Sequence, residues 1–110
     1  MPVAIKDKVD ALSRDFGSQR KLAELLDVSR SQVTRWRQGG GIDDANAGRV
    51  DLLEVVMASL LRIYEPLAAE RWLSGVNPRL GNRRPLDLIR RGCAKELLDA
   101  IASERAGNFS

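Results

Sequence analysis

The stretch Gln19–Gln38, QRKLAELLDVSRSQVTRWRQ, decides how the chain is read. Leu22, Leu25 and Leu26 fall on one face of a helix of about two turns, and Ala23 is small enough for a neighbour to approach closely. Ser18, just before, is a suitable N-cap. Asp27-Val28 makes a short turn. Ser29-Arg30-Ser31-Gln32 then spells a capping box, in which the Ser29 hydroxyl and the Gln32 side chain satisfy amides that a helix start leaves free. The second helix runs to about Gln38, where Gly39-Gly40-Gly41 can adopt positive φ and release the chain. Leu22, Ala23, Leu26, Val28, Val33 and Trp36 fall where the two helices must pack, with Ala23 at the crossing. Arg30, Ser31, Gln32, Thr34, Arg35, Arg37 and Gln38 are left facing solvent.

Helical spacing continues on both sides. Val3 to Phe16 places Val9, Leu12 and Phe16 three and four apart, and Gly17 follows as a stop. Asp44 to Tyr64 carries one long apolar pattern, Val50, Leu53, Val56, Met57, Leu60, Leu61 and Tyr64, with Asp43 and Asp44 at the positive helix end. Glu65-Pro66 marks a break, Leu67 to Leu73 forms a shorter helix before Gly75, and Ser74 to Arg84 is rich in turn residues. Pro85 to Arg91 and Ala94 to Ala106 read as two more helices, anchored by Leu86, Leu88, Ile89, Leu97, Leu98 and Ile101. No segment reads as a strand. The expected class is all-α, with an N-terminal bundle over 1–64 and a small helical domain over 65–110.

At 110 residues the chain has room for one compact domain or two small helical ones. No apolar run reaches the ~18 residues that span a bilayer, and the start, MPVAIKDKVD, lacks the apolar core of an export signal, so the cytosol is the expected location. One cysteine, Cys93, excludes an internal disulfide, and with no histidine a zinc site is not expected. Net charge is +3, and the window Ser18 to Gln38 alone supplies it: Arg20, Lys21, Arg30, Arg35 and Arg37 against Glu24 and Asp27. Positive charge concentrated in an otherwise balanced chain is the footprint of a polyanion binder.

These features meet the plan of a helix-turn-helix, whose second helix lays its N-terminal residues in the DNA major groove. The arginine fork pairs with guanine O6 and N7, and the glutamine amide with adenine N6 and N7. Arg30, Ser31, Gln32 and Arg35 are therefore candidates for base or groove contact, while Ser18, Arg20, Lys21 and Arg37 are better placed for phosphates. The stretch resembles the phage-repressor (Xre or Cro type) helix-turn-helix family in Ala23, the turn at Asp27-Val28, and Val33. That family often has glycine where this chain has Asp27, a residue that tolerates the left-handed conformation better than most.

A DNA-binding unit of this kind can stop near Tyr64, yet about forty-five residues follow. Trp72-Leu73, Asn77-Pro78-Arg79-Leu80-Gly81, Pro85-Leu86-Asp87-Leu88-Ile89 and the closing Gly107-Asn108-Phe109 resemble the toxin-binding domain of the Xre/MbcA/ParS antitoxin family, and the resemblance covers essentially the whole chain. Local physics accounts for most of these residues as scaffold: Asn77 caps a turn, Pro78 fixes it, Gly81 supplies positive φ, Pro85 starts a helix, and Leu86, Leu88 and Ile89 fill core. Gly107-Asn108-Phe109-Ser110 is expected to lie beyond the last helix. By its residues alone it reads as a fraying end.

The resemblance implies more. The partner would be a toxin of the RES-domain class, an enzyme that degrades NAD, and Arg105, Gly107, Asn108, Phe109 and Ser110 would block its active-site cleft. The helix-turn-helix would repress the chain's own operon as a dimer on double-stranded operator DNA. One short recognition helix reads too few base pairs alone, which independently favours a homodimer or a larger assembly.

Three other readings stand beside this one. A stand-alone Xre/Cro-type repressor would use its C-terminal half only to dimerise, and a toxin binder that has lost DNA binding would keep only the second role. An enzyme would need more than Asp87, Glu96, Asp99 and Cys93. No nucleophile–base pair, phosphate loop or metal-ligand spacing accompanies them, so no catalytic residue, metal or cofactor is assigned. Surface ion pairs explain those carboxylates better, and Cys93 reads as a small buried or half-buried residue.

Overall fold

The computed structural model describes residues 4 to 108, which are all-α as expected. In order the helices are α1 (Ile5–Asp15), α2 (Gln19–Leu26), α3 (Arg30–Arg37), α4 (Asp44–Leu60), α5 (Pro66–Ser74), a 3₁₀ turn (Pro78–Leu80), α6 (Pro85–Arg91) and α7 (Ala94–Asn108). None of these helices is long and apolar enough to cross a membrane. The chain divides into two compact units, Met1–Glu54 and Val55–Ser110. The boundary falls inside α4, so the division expected at residue 64 lies within the second unit.

In the first unit α1, α2 and α3 pack on one another. Their buried faces carry Val9, Leu12, Phe16, Leu22, Ala23, Leu25, Leu26, Val33 and Trp36, the last only 1% exposed. Val28, expected between the helices, is half-buried. The caps follow the sequence. The Ser18 hydroxyl accepts from the Lys21 amide at 3.1 Å, and Ser29 and Gln32 form the full capping box, with the Ser29 amide donating to Gln32 Oε1 at 3.0 Å. Asp27 takes the left-handed conformation, φ 57° and ψ 48°, that glycine would have supplied.

In the second unit α5 packs on α6, α6 on α7, and the 3₁₀ turn on α7. Asn77 is the hinge of the turn. Its side chain accepts from the Arg79 amide at 2.9 Å, its amide donates to the Arg83 carbonyl, and its own carbonyl accepts from Leu80 and Asn82. Gly81 has φ 64°, and Pro66, Pro78 and Pro85 each open a helix. Leu73, Leu80, Leu86, Leu88, Ile89, Leu97 and Ile101 form the core.

Two helix ends differ from expectation. α4 stops at Leu60 because Glu65, which precedes a proline, must be extended (ψ 158°), and Leu61 to Tyr64 tighten into turns to reach it. α7 does not stop at Ala106 but continues to Asn108, so Gly107 and Asn108 belong to the helix rather than to a tail beyond it. A glycine inside a helix costs about 1 kcal/mol relative to alanine, which weakens the last turn without forbidding it. The expected roles of Phe109 and Ser110 lie outside the described residues.

Candidate functional site

The basic window lies on α2 and α3 of the first unit. Arg30, Ser31 and Arg35 are exposed on α3, and neither arginine has an ion pair or side-chain hydrogen bond among the described residues. Gln32 is half-buried, and its Oε1 is committed to the capping box, accepting from the Ser29 amide and hydroxyl. Its Nε2 is the part left for a groove contact. On α2, Ser18 and Arg20 are exposed and Lys21 is half-buried. Arg20 lies 3.9 Å from Glu24 across one helical turn, both well exposed, a pair worth little.

Arg37 is placed differently from the other cations. Its Nε donates to Asp10 Oδ1 at 2.7 Å, and its Nη1 to Gln19 Oε1 at 2.9 Å. Gln19 Nε2 donates in turn to Thr34 Oγ1 at 2.5 Å, and Thr34 Oγ1 to the Arg30 carbonyl at 3.1 Å. This relay ties α1, the start of α2 and α3 together. It lines an open polar hollow of about 400 Å³ with Lys6 and Gln38. Sequence reading assigned Arg37 to phosphate and Thr34 to solvent. It did not single out Asp10 or Gln19, because a partner twenty-seven residues away on another helix leaves no local pattern.

The Arg37 hydrogen bond, aided by Lys6, holds the Asp10 carboxyl below the usual carboxylate range, with desolvation acting the other way. A carboxylate depressed in the folded state stabilises it above the unfolded pKa, roughly 3.9, and that contribution is lost as pH falls through the lower folded value. Asp10→Asn is therefore expected to melt below the parent at pH 6. The gap should close as pH is taken below about 4, which melting curves across that range would record. A gap independent of pH would mean that Asp10 acts through packing and not charge.

The second unit brings its charged residues into ion pairs. Arg79 lies 2.7 Å from Glu104, which also accepts from the Tyr64 hydroxyl. Arg83 pairs with Glu96, Arg84 with Asp87 at 3.0 Å, and Lys95 with Asp99 at 2.8 Å. Asp87, Glu96 and Asp99 are thus all engaged by cations, and Cys93 is half-buried. Arg84 holds the Asp87 carboxyl below its usual range. Of the residues assigned to the toxin, Arg105 is half-buried on α7, with a buried Nε that has no hydrogen-bond partner among the described residues. Gly107 is exposed in the last turn.

No family profile matches the chain, and no curated protein matches it in sequence. Among solved structures it is similar to a chain in the crystal structure of the M. tuberculosis MbcT–MbcA toxin–antitoxin complex. The match has a TM-score of 0.78 at 24% identity and covers 96% of this chain and 97% of that one. At that identity the likeness establishes a shared fold, from one end of both chains to the other.

Proposed function

We propose that the chain is the antitoxin of a type II toxin–antitoxin system. In this reading it neutralises a RES-domain, NAD-degrading toxin by blocking the active site with its C-terminal segment, and it represses its own operon through the helix-turn-helix. The observation that carries the reading is the end-to-end fold match to a chain from a toxin–antitoxin complex. Two features of the chain support it: the Asn77–Gly81 and Pro85–Ile89 segments on which the family resemblance rests, and a capped α3 with two exposed, unpaired arginines. The cytoplasm is the compartment in which both partners, toxin and operator DNA, would be met. A homodimer would present two such helices to a palindromic operator.

The test is to purify the chain from its native cell, tagged at the N-terminus so that the C-terminal segment stays free. Mass spectrometry then identifies what accompanies it. A stoichiometric RES-like protein that consumes NAD only after separation is the expected result. Specific DNA retention with no stoichiometric protein would instead leave a plain repressor whose second unit dimerises.

On the DNA side, Arg35→Ala is expected to weaken operator binding by about 1–3 kcal/mol and to relax the preference at one base pair. A loss equal on all sequences, with a shallower salt dependence, would assign Arg35 to phosphate. Titrations on operator and unrelated duplexes at two salt concentrations separate the two outcomes.

A further inference from the structure

We infer that Gly40 is a positioning residue for Arg35, fixing the direction in which that guanidinium leaves α3; this rests on the proposed DNA-binding role of the helix. The end of α3 is built as a Schellman cap. Gly39 takes φ +86°, its amide donates to the Trp36 carbonyl at 3.1 Å, and the Gly40 amide donates to the Arg35 carbonyl at 2.8 Å. In this motif the residue after the left-handed glycine lies against the residue three places inside the helix end, commonly through an apolar contact. Here those two residues are Gly40 and Arg35.

The contact is made by the arginine stem against bare backbone. A Cβ added at Gly40 would fall 2.4 Å from Arg35 Cγ, 3.3 Å from its Cδ and 2.9 Å from its carbonyl oxygen. The space a side chain would need is therefore filled by the Cγ and Cδ methylenes of Arg35. Gly40 is not required for its own conformation, since its φ is not in the left-handed range; it is required for what lies on it. The other glycines of the run differ. Gly39 supplies the positive φ, and a Cβ on Gly41 would meet nothing within 4 Å. Holding the stem removes rotamer freedom that a free surface arginine would otherwise lose on binding, so the fork is presented with less to give up.

The experiment compares Gly40→Ala, Gly41→Ala, Arg35→Ala and the double variant Gly40→Ala/Arg35→Ala. Each is used to select from a pool of double-stranded oligonucleotides with randomised cores, then titrated on the site that the parent selects. Gly40→Ala is expected to lower affinity roughly fivefold or more and to lose the same base preference as Arg35→Ala. Gly41→Ala should match the parent, and the alanine at 40 should change affinity less than about twofold once Arg35 is gone. Melting of each variant is measured alongside. The 2.9 Å approach to the backbone oxygen persists without the Arg35 side chain, so a stability cost common to both backgrounds is separable from the DNA effect. Losses that add in the double variant, or unchanged selection by Gly40→Ala, would overturn the inference. Should the parent select no sequence, the DNA reading itself fails, and the positioning claim is then decided in the free protein. The heteronuclear NOE of the Arg35 Nε–H group supports the claim if it falls to that of a mobile surface arginine in Gly40→Ala, and overturns it if unchanged.

Discussion

Trp36→Ala is expected to remove about 3–5 kcal/mol from the first unit, a large part of the roughly 5–15 kcal/mol that a small domain possesses. Trp36 is the largest fully buried side chain of the chain, on the inner face of α3 in the turn that ends in the glycine cap. Deleting it leaves a cavity where α3 packs on α1 and α2, and a helix of eight residues has little strength of its own without its apolar face. The proposed DNA binding should fail with it, because the exposed arginines Arg30 and Arg35 depend on α3 being formed. Trp36→Phe separates burial from hydrogen bonding. The indole Nε1 is buried without a hydrogen-bond partner among the described residues, so phenylalanine forfeits volume but no hydrogen bond and should cost clearly less than alanine. Urea titrations followed by circular dichroism report both values; comparable costs for Phe and Ala would mean that the indole N–H carries an interaction of its own.

Much of this unit is legible from residue spacing, since its signals are local. Ser18, the capping box at Ser29 and Gln32, the apolar faces of α2 and α3 and the turn at Asp27 each act within four residues, and the structure has each where the spacing puts it. The relay from Asp10 through Arg37 and Gln19 to Thr34 was not legible, because each link joins residues fifteen to twenty-seven apart on different helices. Charge counting made Arg37 one more surface cation; only the fold shows that Asp10 already answers it. By sequence Gly40 shares with its neighbours the capacity for positive φ that releases the chain, since nothing in three consecutive glycines says which one supplies φ and which one supplies space.

The second unit tells the same story at its ends. Asn77, Gly81 and Pro85 act on their immediate neighbours and fall where turn chemistry places them. The boundary between the units falls within α4 and not at the Glu65-Pro66 break, because the apolar pattern of α4 runs on without a local signal at that point. Val50, Leu52 and Leu53 are buried residues of the first unit, and Val56, Met57 and Leu60 of the second, all on α4. Nor does Gly107 end α7. A glycine ends a helix when it leaves helical geometry itself, left-handed as Gly92 is after α6 or extended as Gly75 is after α5, and at Gly107 helical geometry persists to Asn108.

That extension bears on the C-terminal segment. Under the proposed antitoxin role, a chain truncated after Ala106 is expected to need roughly 30-fold or more protein to suppress NAD loss by the separated toxin, the size of effect that removal of an anchor at the centre of an interface produces. Its own fold should change by about 1 kcal/mol or less. Among the described residues the buried ones of α7 are Leu97, Ala100 and Ile101, and its ion pair and hydrogen bond through Glu104 to Arg79 and Tyr64 also precede the cut. Because α7 is fixed up to Glu104, the proposed blocking segment starts from a held helix and not from a loose chain, which reduces the ordering entropy that binding must overcome. Phe109→Ala should reproduce most of the loss if the aromatic ring is the anchor. A truncated chain that still suppressed NAD loss at the parent's concentration would take Gly107 to Ser110 out of the contact. The blockade would then fall to the exposed surface of α7 and to Arg105, whose buried Nε has no hydrogen-bond partner among the described residues.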